Sequence, residues 1–156
     1  MGFQTLLTKL IEAITRGDGR AARACFTADG VYHDCLYGAF QADAIATMVE
    51  QYFHRDATKF IWDTHDPVCD GRIGYARYVF SFESKLPESL GKRAGFEGVS
   101  ICELVDGQFA SYREVANSLP GLQALGFVPE RLARLAGREA AAFFARPEAA
   151  HHRGAA

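Results

Sequence analysis

The chain has 156 residues, of which 49% are hydrophobic and 23% are charged, and its formal net charge is −2. This length suits one domain that can bury a core without disulfides or metals. There is no basic stripe or block, which argues against a nucleic-acid partner. No apolar stretch approaches the roughly 18 residues of a membrane span, and the N-terminus lacks a signal-peptide pattern. We therefore expect a cytoplasmic protein that does not enter a membrane.

The four cysteines support the same interpretation. They are Cys25, Cys35, Cys69 and Cys102, and no two of them are spaced as C-x-x-C. Each lies in a hydrophobic or strand-like context. Such a pattern argues against a disulfide framework or a zinc site and is typical of free thiols in a reducing compartment.

The first half of the chain reads mainly as helices. Apolar residues recur at helical spacing over residues 3–16, and Gly17 ends that pattern. Asp18 is placed to cap a second, short helix. The pattern then predicts, in order, a helix at about 19–26, a short strand over 31–34, a loop over 35–41 and a helix over 42–54.

The second half reads mainly as strands, at 59–68, 72–85 and across 96–117. Asp106-Gly107 splits the last stretch into a hairpin with period-two alternation, a strong short-range signal. Alternation puts Tyr112 and Glu114 on one face of the final strand and Phe109 on the other. Pro120 interrupts helix formation, and Pro129 begins a last helix over about 129–145. We expect a single domain over 1–146 and a flexible tail over 147–156.

Helices followed by a meander of strands indicate an α+β fold, with helices on one face of an antiparallel sheet. The stretch from Thr15 to Gly38 adds more specific motifs. Gly17-Asp18 lies between two helices, Phe26 and Asp29 precede the first strand, and Asp34 ends it. Later, Asp106-Gly107 and Tyr112-Arg113-Glu114 close the pattern near Asn117.

In these motifs the sequence resembles the nuclear transport factor 2-like superfamily over about residues 3–117. That superfamily includes ketosteroid isomerases, SnoaL-like polyketide cyclases and limonene epoxide hydrolases. The resemblance implies a curved sheet wrapped around the N-terminal helices, in a cone-shaped α+β barrel with a central pocket. It also implies a homodimer, which we expect to form through the convex face of the sheet. The last helix lies outside the resemblance; it either caps the pocket or covers a partner.

The resemblance allows two known mechanisms to be tested on this chain. Asp34 falls where ketosteroid isomerase has its general base. The two oxyanion donors of that enzyme would fall at Leu10, which has no donor, and at about Ser100, which is a weak one. Loss of one such donor typically costs about 10²–10³ in rate, so this mechanism of steroid isomerisation is not expected. The Arg-x-Asp motif of the epoxide hydrolases is also incomplete, since Arg77 is followed by Tyr78 and Val79.

Asp34 is nevertheless the candidate catalytic residue. At the mouth of an apolar pocket, desolvation raises the proton affinity of a carboxylate, which suits a general base. The alternative is a strand-end aspartate that binds loop amides.

The candidate substrate-binding residues are Tyr32, Trp62, Ser100, Tyr112 and Glu114. Tyr32 shares a face with Asp34, and Tyr112 shares one with Glu114. Each has a structural alternative: Trp62 as a core aromatic, Ser100 as a core filler, and Glu114 in an ion pair with Arg77.

No metal or cofactor is expected. His33, His65 and Asp66 lack the spacing of a metal site, and there is no glycine-rich phosphate loop. Two functions stay open. One is an isomerase, cyclase or dehydratase that acts on a small, mostly apolar carbonyl or hydroxyl compound. The other is a non-catalytic module for ligand binding or dimerisation.

Overall fold

The computed structural model describes residues 2–152, which form a mixed α+β fold around one curved sheet that does not close. The strand order is β2-β1-β6-β5-β4-β3, so β2 and β3 are the edges. All neighbours are antiparallel except β1 and β6. The strands are β1 Phe26–Asp34, β2 Gly38–Gln41, β3 Ala57–Cys69, β4 Ile73–Ser84, β5 Arg93–Val105 and β6 Gln108–Asn117.

The N-terminal helices lie against the concave side of this sheet. Helix α1, Phe3–Arg16, buries the whole apolar stripe that its sequence predicts. Gly17 ends it in the left-handed conformation, and the Asp18 carboxylate then accepts a hydrogen bond of 2.8 Å from the Ala21 amide at the start of α2, Gly19–Arg23. Both helix-end assignments are confirmed.

The third helical segment is less regular than its sequence pattern. It consists of α3 over Ala44–Met48, a π-helical turn over Val49–Phe53, and a last turn, α4, over His54–Asp56. The sequence pattern predicts one uniform helix here, and the π-helical turn interrupts it as a bulge.

Two boundaries near the first strand differ from the sequence prediction. Strand β1 begins at Phe26 rather than at residue 31, so α2 is shorter than expected. Within the predicted loop over 35–41, residues Gly38–Gln41 instead form the edge strand β2. Four largely exposed residues carry no alternation that a sequence pattern can detect.

The central hairpin is present, but its second strand contains a bulge. Ser100 lies opposite Glu114 and Cys102 opposite Tyr112, whereas Leu104 lies opposite Phe109. One extra residue therefore interrupts the alternation between Phe109 and Tyr112. Both aromatic side chains are fully buried, so the prediction that they occupy opposite faces is wrong.

The C-terminal segment packs over the open side of the sheet. Pro120, which we expected to interrupt helix formation, lies in the first turn of α5, Leu119–Ala124, where the missing amide proton costs little. Helix α6 spans Pro129–Phe144, close to the predicted range. Pro147–His152, the first part of the expected tail, forms a 3-10 helix that buries Ala149. The rest of that tail, residues 153–156, lies outside the described residues.

Among residues 2–152, no helix combines the length and apolar character that crossing a membrane requires.

We expect Gly19→Ala to lower the free energy of unfolding by about 1–3 kcal/mol, because the site has no room for a methyl group. A Cβ atom at position 19 would lie 2.6 Å from the Ala46 carbonyl oxygen and 2.9 Å from its Cα, and backbone atoms cannot rotate away. Gly137→Ala in α6 is the matched control, since nothing lies within 4 Å of its Cβ position. Urea denaturation measures both variants, and equal stabilities would contradict this account.

Candidate functional site

A cavity of about 290 Å³ lies between the concave face of the sheet, the end of the third helical segment and the C-terminal helices. Its wall is mostly aromatic. Phe60, Trp62, Tyr78, Phe80 and Phe96 come from neighbouring strands, and successive rings along this wall lie about 5–6 Å apart. Such a surface suits a flat apolar molecule.

Asp34 lines this cavity, and its side chain also binds the loop amides, as the structural alternative predicts. Its Oδ1 atom accepts hydrogen bonds of 2.7 Å from the Leu36 and Tyr37 amides, as expected of an aspartate before a turn. Its carboxyl group also lines the cavity and is buried. Burial raises the pKa of Asp34, and the two amide hydrogen bonds oppose that shift.

Glu114 supplies a second carboxyl group to the same cavity. Burial, followed by the nearby charge of Asp34, raises its pKa to about 8. Tyr112 donates a 2.9 Å hydrogen bond to Glu114 Oε1, and Tyr32 donates a longer one of 3.4 Å. The Cys35 thiol also bonds to Glu114. This shift favours the neutral, carboxylic-acid form of Glu114.

Three of the predicted binding residues lie behind Glu114 rather than on the cavity wall. The rings of Tyr32 and Tyr112 stack with centroids 4.6 Å apart, and the hydroxyls of Ser100 and Tyr112 are 2.9 Å apart. All three are fully buried, and none of them lines the cavity. They form a support that fixes the Glu114 carboxyl group, whereas Trp62 and Glu114 contact the cavity directly.

Glu114 makes no ion pair with any described residue. Arg77, the partner that we considered for it, lies on the opposite face of the sheet. There its guanidinium group is 3.2 Å from Glu97 and 3.6 Å from Asp66. The predicted ion pair between Glu114 and Arg77 is wrong, because successive residues of a strand point to opposite faces and position 77 points outward.

Two polar atoms in the aromatic wall are buried without a hydrogen bond of ordinary geometry to any described residue. They are Trp62 Nε1 and the Tyr78 hydroxyl. Burial, and then the nearby Glu114 carboxyl group, raise the pKa of Tyr78. A side-chain hydrogen bond between the Tyr78 hydroxyl and Glu114 contributes to that shift, so Trp62 Nε1 is the donor of this wall that has no partner among the described residues. An unsatisfied buried donor costs about 1–3 kcal/mol.

Residues of the C-terminal helices line the cavity, as the capping role considered for the last helix predicts, and α6 itself buries none of its residues. Leu122, Leu125 and Leu135 add apolar contacts to the cavity wall. Arg131 and Arg138 also line it. Arg131 forms a 2.6 Å ion pair with Glu88, and Arg138 donates a 2.8 Å hydrogen bond to the Leu36 carbonyl.

Sequence reasoning missed several residues of the site. Cys35 and Tyr37 lie in the turn just after Asp34, so their nearness to Asp34 in the sequence was one available signal. Tyr78 belongs to the inward set of the alternating residues of β4, so the strand period was another. Arg131 and Arg138 are seven residues apart on one helix face, but no local pattern indicates what that face covers. Nowhere in residues 2–152 are three or more His, Cys, Asp or Glu side chains grouped to hold a metal ion.

Comparison with known proteins places this chain in a family. The family model described as a SnoaL-like domain matches residues 7–112, more than half of the chain. The chain belongs to the SnoaL-like domain family. No curated protein matches it.

Solved structures with this fold have diverse names. A Catenulispora acidiphila protein with a ketosteroid isomerase-like fold, in complex with trimethylamine, is 15% identical with a TM-score of 0.70; the match covers 80% of this chain and 95% of that one. A Mycobacterium tuberculosis epoxide hydrolase of the LEH-like type is 16% identical with a TM-score of 0.64, over 86% and 94% of the chains. IdmH from Streptomyces antibioticus, a proposed polyketide cyclase, is 18% identical with a TM-score of 0.63, over 80% and 98%.

These similarities confirm the superfamily and the cone-like α+β fold predicted from the sequence motifs. Identities below 20% show a shared fold, and they leave the chemistry to be argued from the site itself. The SnoaL-like match ends at Tyr112, so Glu114 and the helices that line the cavity lie beyond it.

The raised pKa of Glu114 predicts that stability decreases with rising pH. The folded protein holds this proton up to about pH 8, whereas an unfolded glutamate loses it near 4.5. The stabilisation is therefore complete below 4.5 and is lost as the pH rises through 8. The contribution of Glu114 to the free energy of unfolding should therefore fall by up to about 1.4 kcal/mol per pH unit over this range. We expect Glu114→Gln to remove this contribution to the fall.

Urea denaturation at a series of pH values measures this dependence. Glu103→Gln is the matched control, since Glu103 is exposed on β5. A Glu114→Gln variant with the pH dependence of the wild type would show that Glu114 is ionised in the folded protein.

Proposed function

We propose that this protein is an acid–base enzyme of the isomerase, cyclase or dehydratase kind, which acts on a small and mostly apolar carbonyl or hydroxyl compound. One observation carries this proposal: two carboxyl groups with different surroundings, Asp34 and Glu114, meet at the polar end of one aromatic cavity. Paired titratable groups whose environments separate their pKa values are a recurrent basis for acid and base roles.

Asp34 is the proposed general base. Two amide hydrogen bonds to Oδ1 stabilise its charged form, and Oδ2 makes no hydrogen bond with the described residues. Oδ2 would take a proton from the carbon next to the substrate carbonyl, and the electron pair of that C–H bond would move onto the carbonyl oxygen. Partial desolvation of Asp34 favours this step, because it raises the proton affinity of the carboxylate.

Glu114 is the proposed acid. In its neutral form it can donate a hydrogen bond or a proton to the oxygen on which charge develops. Tyr112 and Tyr32 hold Oε1, which leaves Oε2 for the proton. Return of the proton from Asp34 to another carbon gives isomerisation, and loss of a β-hydroxyl group as water gives dehydration. Attack of the carbanion on a second carbonyl gives cyclisation.

The second candidate is a ligand-binding module without catalysis. The residues at the two positions where the resemblance to ketosteroid isomerase requires oxyanion donors favour this second candidate. Leu10 is buried in α1 and has no polar group, and the Ser100 hydroxyl is engaged with Tyr112. The two functions differ in whether Asp34 moves a proton or only anchors the loop after β1.

Proton exchange from carbon separates these candidates. We expect the protein to accelerate deuterium exchange at the benzylic position of 2-tetralone in D₂O, followed by ¹H NMR. Asp34→Asn should lower the rate by about 10²–10⁴-fold, because an amide cannot accept the proton. Asp29→Asn, on the exposed part of the same strand, is the matched control.

Exchange at the wild-type rate in Asp34→Asn would contradict the base role. A wild-type protein that binds ketones but accelerates no exchange would favour the binding module.

We also propose that the protein is a homodimer, and that its subunits meet through the outer sheet face, defined here as the exposed side chains of Ile61, Tyr75, Val79, Val99 and Val115. Val99 lies directly opposite Val115, and Val79 lies opposite Glu97. Adjacent valines on a solvent-facing sheet are an apolar patch of the kind that a partner covers. The flanking ion pair of Arg77 and Glu97 places one positive and one negative charge on this face, which suits association with a second copy of the same chain.

Sedimentation velocity at micromolar concentration tests the dimer. We expect Val99→Lys to shift the wild-type dimer towards monomer, because it would bury two unpaired charges at the interface. Leu90→Lys, in the exposed loop before β5, should leave the dimer intact. A wild-type protein that sediments only as a monomer would contradict the proposal.

The location in the cytoplasm also stays a proposal. It is supported by four cysteines that are all free.

A further inference from the structure

We propose that the cavity binds an organic cation, a quaternary or protonated amine, whose charge pairs with the Asp34 carboxylate and whose apolar groups lie on the aromatic wall. This inference goes beyond the proposed function, because it concerns binding alone and requires no proton transfer. The ligand would supply the positive charge that the surroundings of Asp34 lack.

The Asp34 carboxylate is buried without a cationic partner among the described residues. Its Oδ1 atom accepts both of its hydrogen bonds, which come from the Leu36 and Tyr37 amides. Burial raises the pKa of Asp34 and these two amides lower it, and no described arginine or lysine contributes to the shift. Because a buried charge is unfavourable unless it is paired, a ligand with a positive charge is favoured over a neutral ligand of the same shape.

The second oxygen of Asp34, Oδ2, is the atom that a ligand can reach. It makes no hydrogen bond with the described residues, and it does not belong to the buried polar atoms that lack both accessible surface and a partner. Asp34 is 9% exposed and lines the cavity, so this remaining surface faces the cavity. Trp62 Nε1, in contrast, has almost no accessible surface, so Trp62 offers a ligand its ring rather than its donor.

The arginines of the cavity wall do not neutralise Asp34. Arg131 forms its ion pair with Glu88, at 2.6 Å. Arg138 is exposed at the rim and donates its hydrogen bond to the Leu36 carbonyl, at 2.8 Å. The charge of Asp34 is therefore left for a ligand to offset, and a ligand anion would be repelled by it.

The aromatic wall supplies the other half of a cation site. Phe60, Trp62 and Phe96 line the cavity and are only partly buried, so part of each ring is open to a ligand. The ring of Phe80 connects them, with its centroid 6.1 Å from Phe60, 4.9 Å from Trp62 and 5.4 Å from Phe96. The faces of such rings attract cations, and tryptophan does so most strongly.

A short series of contacts links Asp34 to this wall. The Tyr37 amide binds Asp34, and the Tyr37 ring lies 6.0 Å from the ring of Phe53. Phe53 in turn lies 6.1 Å from Phe60, at the start of the wall. All four residues line one cavity of about 290 Å³, so a single small ligand can contact the carboxylate and the rings together.

The experiment compares two ligands that differ in charge and share a shape. The full-length protein is titrated in a calorimeter with 3-hydroxyphenyltrimethylammonium and with 3-tert-butylphenol, in which a carbon atom replaces the charged nitrogen. We expect the cation to bind about 10-fold more tightly or better, because charge pairing and attraction to the rings act on it alone. The protein has one tryptophan, so its single indole ¹H–¹⁵N NMR signal should move in a saturable way with the cation.

Variants then assign the preference to Asp34 and to the wall. Asp34→Asn should weaken cation binding by about 10-fold or more and leave 3-tert-butylphenol nearly unchanged, because the amide has no charge and its oxygen can still accept the two loop hydrogen bonds. Asp29→Asn, on the exposed part of the same strand, is the matched control and should change neither affinity. Trp62→Phe should weaken the cation by about 2- to 5-fold and the neutral ligand less.

Equal affinities for the two ligands would overturn the inference, as would a cation that binds without moving the indole signal. An Asp34→Asn variant that keeps the wild-type preference for the cation would also overturn it. Thermal unfolding shows whether each variant is folded, and if Asp34→Asn is not, the same comparison in Trp62→Phe decides. The proposed acid–base function fails separately, through the absence of deuterium exchange, which these titrations do not measure.

Discussion

The site depends on the burial of two carboxyl groups in one apolar cavity. Asp34 is held by the two amides of the turn that follows β1, and Glu114 is held by a stack of tyrosines behind it. Burial of both groups and the charge of Asp34 raise the pKa of Glu114, which favours its neutral form. Burial also raises the pKa of Asp34, and the two amide hydrogen bonds oppose that shift.

The pKa shifts of Asp34 and Glu114 depend on how far water is excluded from the cavity. A curved sheet that does not close leaves its concave side open to water, and water would remove the desolvation on which both pKa shifts depend. Three leucines and two arginines of the C-terminal segment, Leu122, Leu125, Leu135, Arg131 and Arg138, partly cover that side. The arginines bind Glu88 and the Leu36 carbonyl, so they connect the cover to the loops at the rim of the cavity.

The fold is shared with proteins of several named activities, and the site shows how such a frame can be reused. Ser100, at about the position where the ketosteroid isomerase resemblance requires an oxyanion donor, supports Tyr112 and thereby Glu114. In this chain that position therefore supports a carboxyl group and does not line the cavity.

The sequence by itself determined the helices at the N-terminus, the central hairpin and the fold class, because these features depend on local periodicity and on turn residues. It also placed Asp34 correctly at the end of a strand, beside the turn amides that it binds. Only the tertiary structure decided that Glu114 pairs with tyrosines rather than with Arg77, since that depends on which face of the sheet each residue occupies. The bulge lies within the hairpin and buries both Phe109 and Tyr112, an outcome that strict alternation does not encode. The positions of Arg131 and Arg138 at the cavity result from contacts between segments far apart in the chain, which a local sequence pattern also does not encode.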